Sequence, residues 1–253
     1  MGEPSINRRL RSVEDLLDLM DGLFARESVR WTSDAGSVWW NNFYADRTRP
    51  VPFFADKPDE NLAQWVRDGV LLPTRVLDLG SGPGRNALFL AERGYAVDAV
   101  DLSSAAVKWG RERAADRQLD VSFTCGNAFT LPPDALPGPY GLVYDSGCLH
   151  HLPPHRRISY LQLLQRILAP GGYLGLACFA RGKMGAEEPD EQLYHDGEFE
   201  AGIAFSPDDL RWVFADLEEI EIRPMATQGQ DSPWFGESFL LTALFRRPEP
   251  TPA

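Results

Sequence analysis

The chain has 253 residues, of which 43% are hydrophobic and 25% are charged, a composition typical of a globular protein with a sizeable core. Its formal net charge of −12 argues against a nucleic-acid partner, because nucleic-acid-binding proteins usually carry a basic stripe. No apolar run approaches the ~20 residues that a membrane-spanning helix needs, so we expect no membrane partner and a cytoplasmic location. The three cysteines lack metal-ligand spacing and indicate reduced thiols.

Residues 1–70 are predicted to form a helical cap that precedes the main domain. Ser12 and Asp15 have the spacing of a capping box, and the apolar periodicity that follows predicts an amphipathic helix over Val13–Ala25. A second helix is predicted over Asn61–Gly69. Between these helices lies an aromatic segment that we interpret as a lid, or alternatively as a small core beneath a long loop, and it contains Trp31, Trp39, Trp40, Phe43, Tyr44, Phe53 and Phe54.

Strands and helices alternate through residues 71–247, which predicts a mostly parallel sheet covered by helices on both faces. The predicted strands are Arg75–Leu79, Ala96–Val100, Val121–Cys125, Leu142–Tyr144, Tyr173–Phe179, Glu218–Arg223 and Phe239–Phe245. The predicted helices are Arg85–Arg93, Ala105–Arg117, Arg156–Leu168 and Pro207–Ala215. A long insert, Gly182–Phe205, is expected to be functional or disordered, and the proline-rich residues 248–253 are expected to fray.

The most informative stretch runs from Arg75 to Asp101, where a strand, a glycine turn, a helix and a second strand follow one another. Its glycines have the pattern G-x-G-x-G, whereas a dinucleotide site requires G-x-G-x-x-G. Asp78, two residues before the first glycine, would repel a pyrophosphate but would suit the amino group and sulfonium of S-adenosylmethionine. No lysine follows the glycines, as a phosphate-binding loop would need. The pattern therefore favours S-adenosylmethionine over NAD.

Five segments in order, LDLGSGPG, VDAVDLS, GNAF, LVYDSGCLHHLPP and ILAPGGYL, resemble the class I S-adenosylmethionine-dependent methyltransferases over roughly Val70 to Ala180. GRNALFLAERGYAVDAVD is most similar to the tellurite-resistance, thiopurine and thiol methyltransferase branch. The resemblance implies an α/β, Rossmann-like fold with seven strands in the order 3-2-1-4-5-7-6, the last one antiparallel. It also implies S-adenosyl-L-methionine as cofactor and S-adenosyl-L-homocysteine as product.

The predicted cofactor site follows from these motifs. Asp101 would accept hydrogen bonds from the ribose hydroxyls, and Leu102 would pack against the adenine. Asn127 stands where the resembled family usually has an acid, but its amide oxygen can still accept from the adenine amino group. The complete predicted set is Asp78, Gly80, Gly82, Gly84, Arg85, Asn86, Asp101, Leu102, Asn127, Ala128, Phe129 and Asp145.

The predicted acceptor side centres on His150 and His151. One neutral histidine could remove a proton from a hydroxyl or amine, although a packed, semi-buried histidine explains the pair equally well. Asp145 could orient the nucleophile, which makes it the third catalytic candidate. No metal is expected, because adjacent histidines point in different directions and no Glu-rich partner is near. The predicted substrate-binding residues are Trp39, Trp40, Tyr44, Cys148, His151 and Tyr194.

The predicted function is transfer of a methyl group to a sulfur, oxygen or nitrogen atom of a small molecule by in-line displacement. Two alternatives remain at this point: an NAD-dependent oxidoreductase on a similar scaffold, and a non-catalytic protein that binds S-adenosylmethionine. A monomer or homodimer is expected.

Overall fold

The computed structural model describes residues 10–24, 35–199 and 201–250, so the predicted lid residue Trp31 lies outside the described residues. Within these ranges, no helix has both the length and the apolar character required to cross a bilayer.

A single seven-stranded sheet runs through the molecule in the order β3-β2-β1-β4-β5-β7-β6. Its final strand along the chain, β7, pairs antiparallel with both neighbours, and β1 to β5 pair in parallel. The predicted fold class and strand order are therefore confirmed. The strands are β1 (Arg75–Leu79), β2 (Ala96–Asp101), β3 (Val121–Cys125), β4 (Tyr140–Ser146), β5 (Leu168–Phe179), β6 (Glu218–Pro224) and β7 (Leu240–Arg246).

Eight α-helices are found in the described residues, six of them after the first strand or directly before it. They are α1 (Val13–Asp21), α2 (Ala35–Ala45), α3 (Glu60–Arg67), α4 (Arg85–Ala91), α5 (Ser104–Asp116), α6 (Arg156–Ile167), α7 (Asp190–Asp196) and α8 (Pro207–Val213). The predicted insert thus contains a short helix, α7.

Both faces of the sheet are apolar. Side chains alternate between the faces along each strand, so neighbouring apolar residues contribute to different faces. Leu77 and Val143 belong to one buried cluster, whereas Val76, Leu142 and Tyr144 belong to the cluster on the opposite face. The two cores hold the central strands rigidly, and their carboxyl ends therefore form a fixed edge on which a site can be built.

Helix α1 begins at the predicted capping box: Asp15 N donates to Ser12 Oγ at 3.1 Å and Ser12 N donates to the Asp15 carboxylate at 2.7 Å. It ends four residues earlier than predicted, at Asp21. Arg156, at the start of α6, fixes its position by ion pairs of 2.6 Å with Glu14, Asp18 and Asp21. The acidic face of α1 therefore lies against α6.

Helix α2, which the sequence analysis did not predict, carries the aromatic segment and packs on α5. The oxygen Oδ1 of Asn41 accepts hydrogen bonds from Ser103 Oγ, Ser104 Oγ and Ala105 N at 2.9 to 3.1 Å. Ser103 Oγ itself caps α5 by accepting from Ala106 N at 3.1 Å. The first turn of α5 is thus joined directly to α2.

Candidate active site

A cavity of about 470 Å³ opens at the carboxyl ends of the central strands. It lies beside the β1–β4 pair, where the strand order changes direction, which is the usual ligand position in an open α/β sheet. Most predicted site residues line this cavity: Trp39, Trp40, Tyr44, Asp78, Gly80, Gly82, Arg85, Asn86, Asp101, Leu102, Asn127, Ala128, Phe129, Cys148, His150 and His151.

The glycine turn brings the backbone to the cavity surface. Gly80 and Gly82 have φ values of +72° and +52°, which favour glycine. A Cβ atom on Gly80 would lie 2.9 Å from Cys148 Cβ, and one on Gly82 would lie 2.9 Å from the Tyr44 hydroxyl oxygen. A larger side chain at either position would therefore occupy the space through which a ligand approaches the backbone.

Asp101 ends β2 at the cavity wall and orders the glycine turn. Gly82 N donates to its Oδ2 at 2.8 Å, and Ser103 N donates to its Oδ1 at 2.7 Å. Each oxygen keeps a further lone pair, so the carboxylate can still accept from two ribose hydroxyls. Burial raises the pKa of Asp101 to about 6.

Asp78 lies on β1 beneath the glycine turn. Its Oδ2 accepts from Ala87 N at 3.0 Å, near the start of α4. Burial raises the pKa of Asp78 to about 7, although the Arg85 guanidinium and the bond from Ala87 act in the opposite direction. A cationic ligand group beside Asp78 would favour its ionised form.

We expect affinity for S-adenosylhomocysteine to fall at least tenfold between pH 8 and pH 5.5. Asp78 and Asp101 have raised pKa values in the unliganded protein. Their protonated forms therefore stabilise the unliganded folded state at acidic pH, and this stabilisation is lost as the pH rises through 6 to 7. The ligand's ammonium group and ribose hydroxyls favour the ionised forms, so binding releases protons. Calorimetry in buffers of different ionisation enthalpy would detect this release, and an affinity independent of pH would contradict the assignment.

Three predicted residues lie outside the cavity lining, which corrects their predicted roles. Asp145 is completely buried, and its carboxylate accepts from Cys148 N, Leu149 N and Tyr160 Oη at 2.7 to 3.0 Å. It shapes the turn that carries Cys148 and His150, and it does not line the cavity. Burial raises its pKa to about 6.

The other two corrections concern Gly84 and Tyr194. A Cβ atom on Gly84 would lie 2.7 Å from the Phe123 ring, so this glycine allows close packing against β3. The Tyr194 hydroxyl donates towards His155 Nδ1 or accepts from it at 2.9 Å, and it accepts from His155 N at 3.0 Å. Tyr194 therefore belongs to the packing between α7 and the start of α6.

Arg85 and Asn86 line the cavity but are held from behind by Asp59, whose side chain is fully buried. Arg85 Nη1 lies 2.6 Å from Asp59 Oδ1, and Asn86 Nδ2 donates to Asp59 Oδ2 at 3.1 Å. Tyr144 Oη donates to the same carboxylate at 2.7 Å. The sequence analysis missed Asp59 because nothing in its local pattern distinguishes it from a residue at the start of a helix.

Aromatic rings form the opposite side of the cavity. The Trp40 and His151 rings lie 5.0 Å apart in an edge-to-face arrangement, and His150 stacks on Phe179 at 3.7 Å. Burial lowers the pKa of His150 well below its usual value, so this imidazole is neutral at pH 7. Burial likewise raises the pKa of the Cys148 thiol, which keeps it protonated and unreactive.

Several lining residues were not in the predicted set of site residues: Phe179, Met184, Ala201, Phe235, Phe239 and Leu240. Met184 and Ala201 lie in the long insert, whose length alone was a signal of function. Phe235 lies in the turn-rich segment before β7. Phe239 and Leu240 have no signal in the sequence, because they reach the cavity only through the antiparallel return of β7.

Replacing Asn41 by leucine is expected to lower the free energy of unfolding by about 1–2 kcal/mol, since three donors at the start of α5 lose their acceptor. Asn42→Leu, at the exposed neighbouring position of α2, is the matched control and should change stability by less than about 0.5 kcal/mol. Chemical denaturation would measure both variants. Equal losses would mean that Asn41 does not hold α2 in place.

The sheet order and the cavity at its switch point define the class I methyltransferase fold. Residues 76–172 match the family described as a methyltransferase domain. A relative in Mycobacteroides abscessus, 2-heptyl-1-hydroxyquinolin-4(1H)-one methyltransferase, is 30% identical over 121 residues, which are 47% of this chain and 52% of that protein. This chain therefore spans about half the length of that relative.

Two solved structures have the same fold. One concerns the conversion of a disulfide bond into a thioacetal group during echinomycin biosynthesis, with a TM-score of 0.63, 23% identity, and coverage of 85% of this chain and 94% of that one. The other is magnesium protoporphyrin IX methyltransferase from Synechocystis PCC 6803 with bound S-adenosylmethionine, with a TM-score of 0.60, 17% identity, and coverage of 85% and 96%. Residues 76–172 therefore match a methyltransferase domain, and the chain shares its fold with these two structures, one of which holds S-adenosylmethionine.

Proposed function

We propose that the protein transfers the methyl group of S-adenosylmethionine to a sulfur, oxygen or nitrogen atom of a small molecule. One observation supports this most directly: Asp78, the glycine turn and Asp101 share a single cavity with the His150–His151 pair. A cofactor held at the first set of residues and an acceptor held at the second would meet inside that cavity. Proximity and alignment are the main source of acceleration in a displacement of this kind.

In this mechanism the nucleophile's lone pair attacks the methyl carbon, and the carbon–sulfur bond breaks with its electron pair remaining on sulfur. Asp78 would face the cationic groups of the cofactor, and Asp101 would hold the ribose. Asn127 Oδ1 accepts from Phe129 N at 3.0 Å and retains a lone pair for the adenine amino group. S-adenosylhomocysteine leaves as the product.

The acceptor's proton must also leave when the nucleophile is a hydroxyl or an amine. We propose His150, whose imidazole is neutral, and His151 as the bases for this step. A thiolate would need no such help, because it is already deprotonated and strongly nucleophilic. The predicted similarity to the thiol methyltransferase branch therefore remains a proposal that an acceptor panel can test.

The test is calorimetric titration with S-adenosylhomocysteine beside NADH, followed by assay of S-adenosylhomocysteine formation with thiol, phenol and amine acceptors. We expect micromolar binding of S-adenosylhomocysteine and none of NADH. Binding of NADH alone would favour the oxidoreductase alternative. Binding of S-adenosylhomocysteine without transfer to any acceptor would favour the non-catalytic alternative.

A further inference from the structure

The described part of the cavity lining has few charged groups. Among the described residues that line it, the ionisable carboxylates and guanidinium are Asp78, Asp101 and Arg85, which come from β1, β2 and α4. Five lining rings contact one another in sequence, and together with Met184 they form what we call the acceptor wall: Trp40, His151, His150, Phe179 and Phe239. The acceptor wall carries no carboxylate, ammonium or guanidinium group.

Arg85 carries the one guanidinium among the described lining residues, and this group already has protein partners. Arg85 is 8% exposed, lies 2.6 Å from Asp59, and donates to Lys57 O at 3.1 Å and to Ser146 Oγ at 3.0 Å. An anionic acceptor would have to compete for Arg85 with the buried Asp59 carboxylate, and drawing the cation away from that carboxylate is costly. An anion would also enter beside Asp78 and Asp101 in a protein of net charge −12.

The rings of the acceptor wall offer planar contact instead of charge. His150 and Phe179 stack within 14° of parallel, and Trp40 meets His151 edge to face. Burial lowers the pKa of His150, so its imidazole adds a hydrogen-bonding group without adding a charge. Aromatic walls of this kind bind flat, apolar rings with offset or edge-to-face geometry.

We propose that the methyl acceptor is an uncharged, planar aromatic compound whose ring packs on the acceptor wall and carries the nucleophilic group. This inference rests on the proposed methyl transfer, and it adds the charge and shape of the substrate. The same geometry disfavours acceptors that carry a carboxylate or phosphate on the ring.

A pair of matched probes tests the proposal. Protein saturated with S-adenosylhomocysteine is titrated calorimetrically at pH 7.5 with 2-naphthol and with 6-hydroxy-2-naphthoate, which differ by one carboxylate. We expect 2-naphthol to bind at least about tenfold more tightly, since the carboxylate finds no partner. Equal or tighter binding of the naphthoate, or no binding of either probe, would overturn the proposal. If S-adenosylhomocysteine itself fails to bind, the proposed function fails separately, and the same two probes are compared without it.

A variant checks the position of the ring. Met184 is 39% exposed at the cavity, so Met184→Arg adds a cation to the acceptor wall without burying it fully. It should strengthen the binding of the naphthoate about tenfold relative to that of 2-naphthol. Leu72→Arg, at a position that is 69% exposed and outside the cavity lining, is the matched control and should change neither. An unchanged preference in Met184→Arg would show that the ring does not bind at this wall.

Discussion

Asp101→Ala is expected to weaken the binding of S-adenosylhomocysteine well over tenfold. The substitution removes the proposed charge-assisted contacts to the ribose, a loss of roughly 1.5–3 kcal/mol. It also removes the acceptor for Gly82 N, so the glycine turn loses the bond that fixes its position. Both effects act on the same ligand, and titration calorimetry measures their sum.

Two comparisons make the Asp101 result specific. Asp98→Asn changes another carboxylate of β2, one that faces Arg75 and Tyr140 away from the cavity, and should leave the affinity within about twofold. Thermal unfolding of Asp101→Ala without ligand would establish that the domain is still folded. Wild-type affinity in a folded Asp101→Ala variant would remove Asp101 from the cofactor site.

Arg85→Met is expected to lower the free energy of unfolding by about 3–5 kcal/mol, the largest stability effect that we predict. It would leave the Asp59 carboxylate, which is 0% exposed, without its cation. Urea denaturation would measure the loss. Arg211→Met, which breaks an ion pair between half-exposed side chains, should cost no more than about 1 kcal/mol.

The double variant Arg85→Met with Asp59→Asn separates charge from packing. It removes both charges, so it should recover a substantial part of the stability lost in Arg85→Met. A double variant that is no more stable than Arg85→Met would show that the loss came from packing of the guanidinium, which lies 4.3 Å above the Phe235 ring.

The regular part of the fold was predictable because its signals are local. β1 and β3 have the predicted bounds, since each is a short apolar run between turn signals. The capping box of Ser12 and Asp15 depends on residues three positions apart and was equally predictable. Helix α2 was missed because the apolar residues Val38 and Ala45 lie on the helix face opposite its four rings, so no polar face marks the period.

The residues of the cofactor motifs could be predicted from the sequence, whereas the residues that hold them in place could not. The glycines and the acids at strand ends are positioned by the sheet itself, so the spacing of Gly80, Gly82 and Asp101 was informative. Asp145 was misassigned because its partners lie on a later helix and turn, and only the folded chain brings Tyr160 to it. Asn41 was missed for the same reason, since its donors are more than 60 residues away.

The buried cluster around Asp59 also determines how far the domain can be shortened. Asp59 and Asn61 precede β1, yet they bond to Asn86 and Tyr144 inside the domain, and Glu60 pairs with Arg223 on β6. A fragment starting at residue 71 would lack Asp59. Arg85 would then lose its ion-pair partner, and the buried Tyr144 hydroxyl would lose its acceptor. We therefore expect that a stably folded fragment of this chain has to include residue 59.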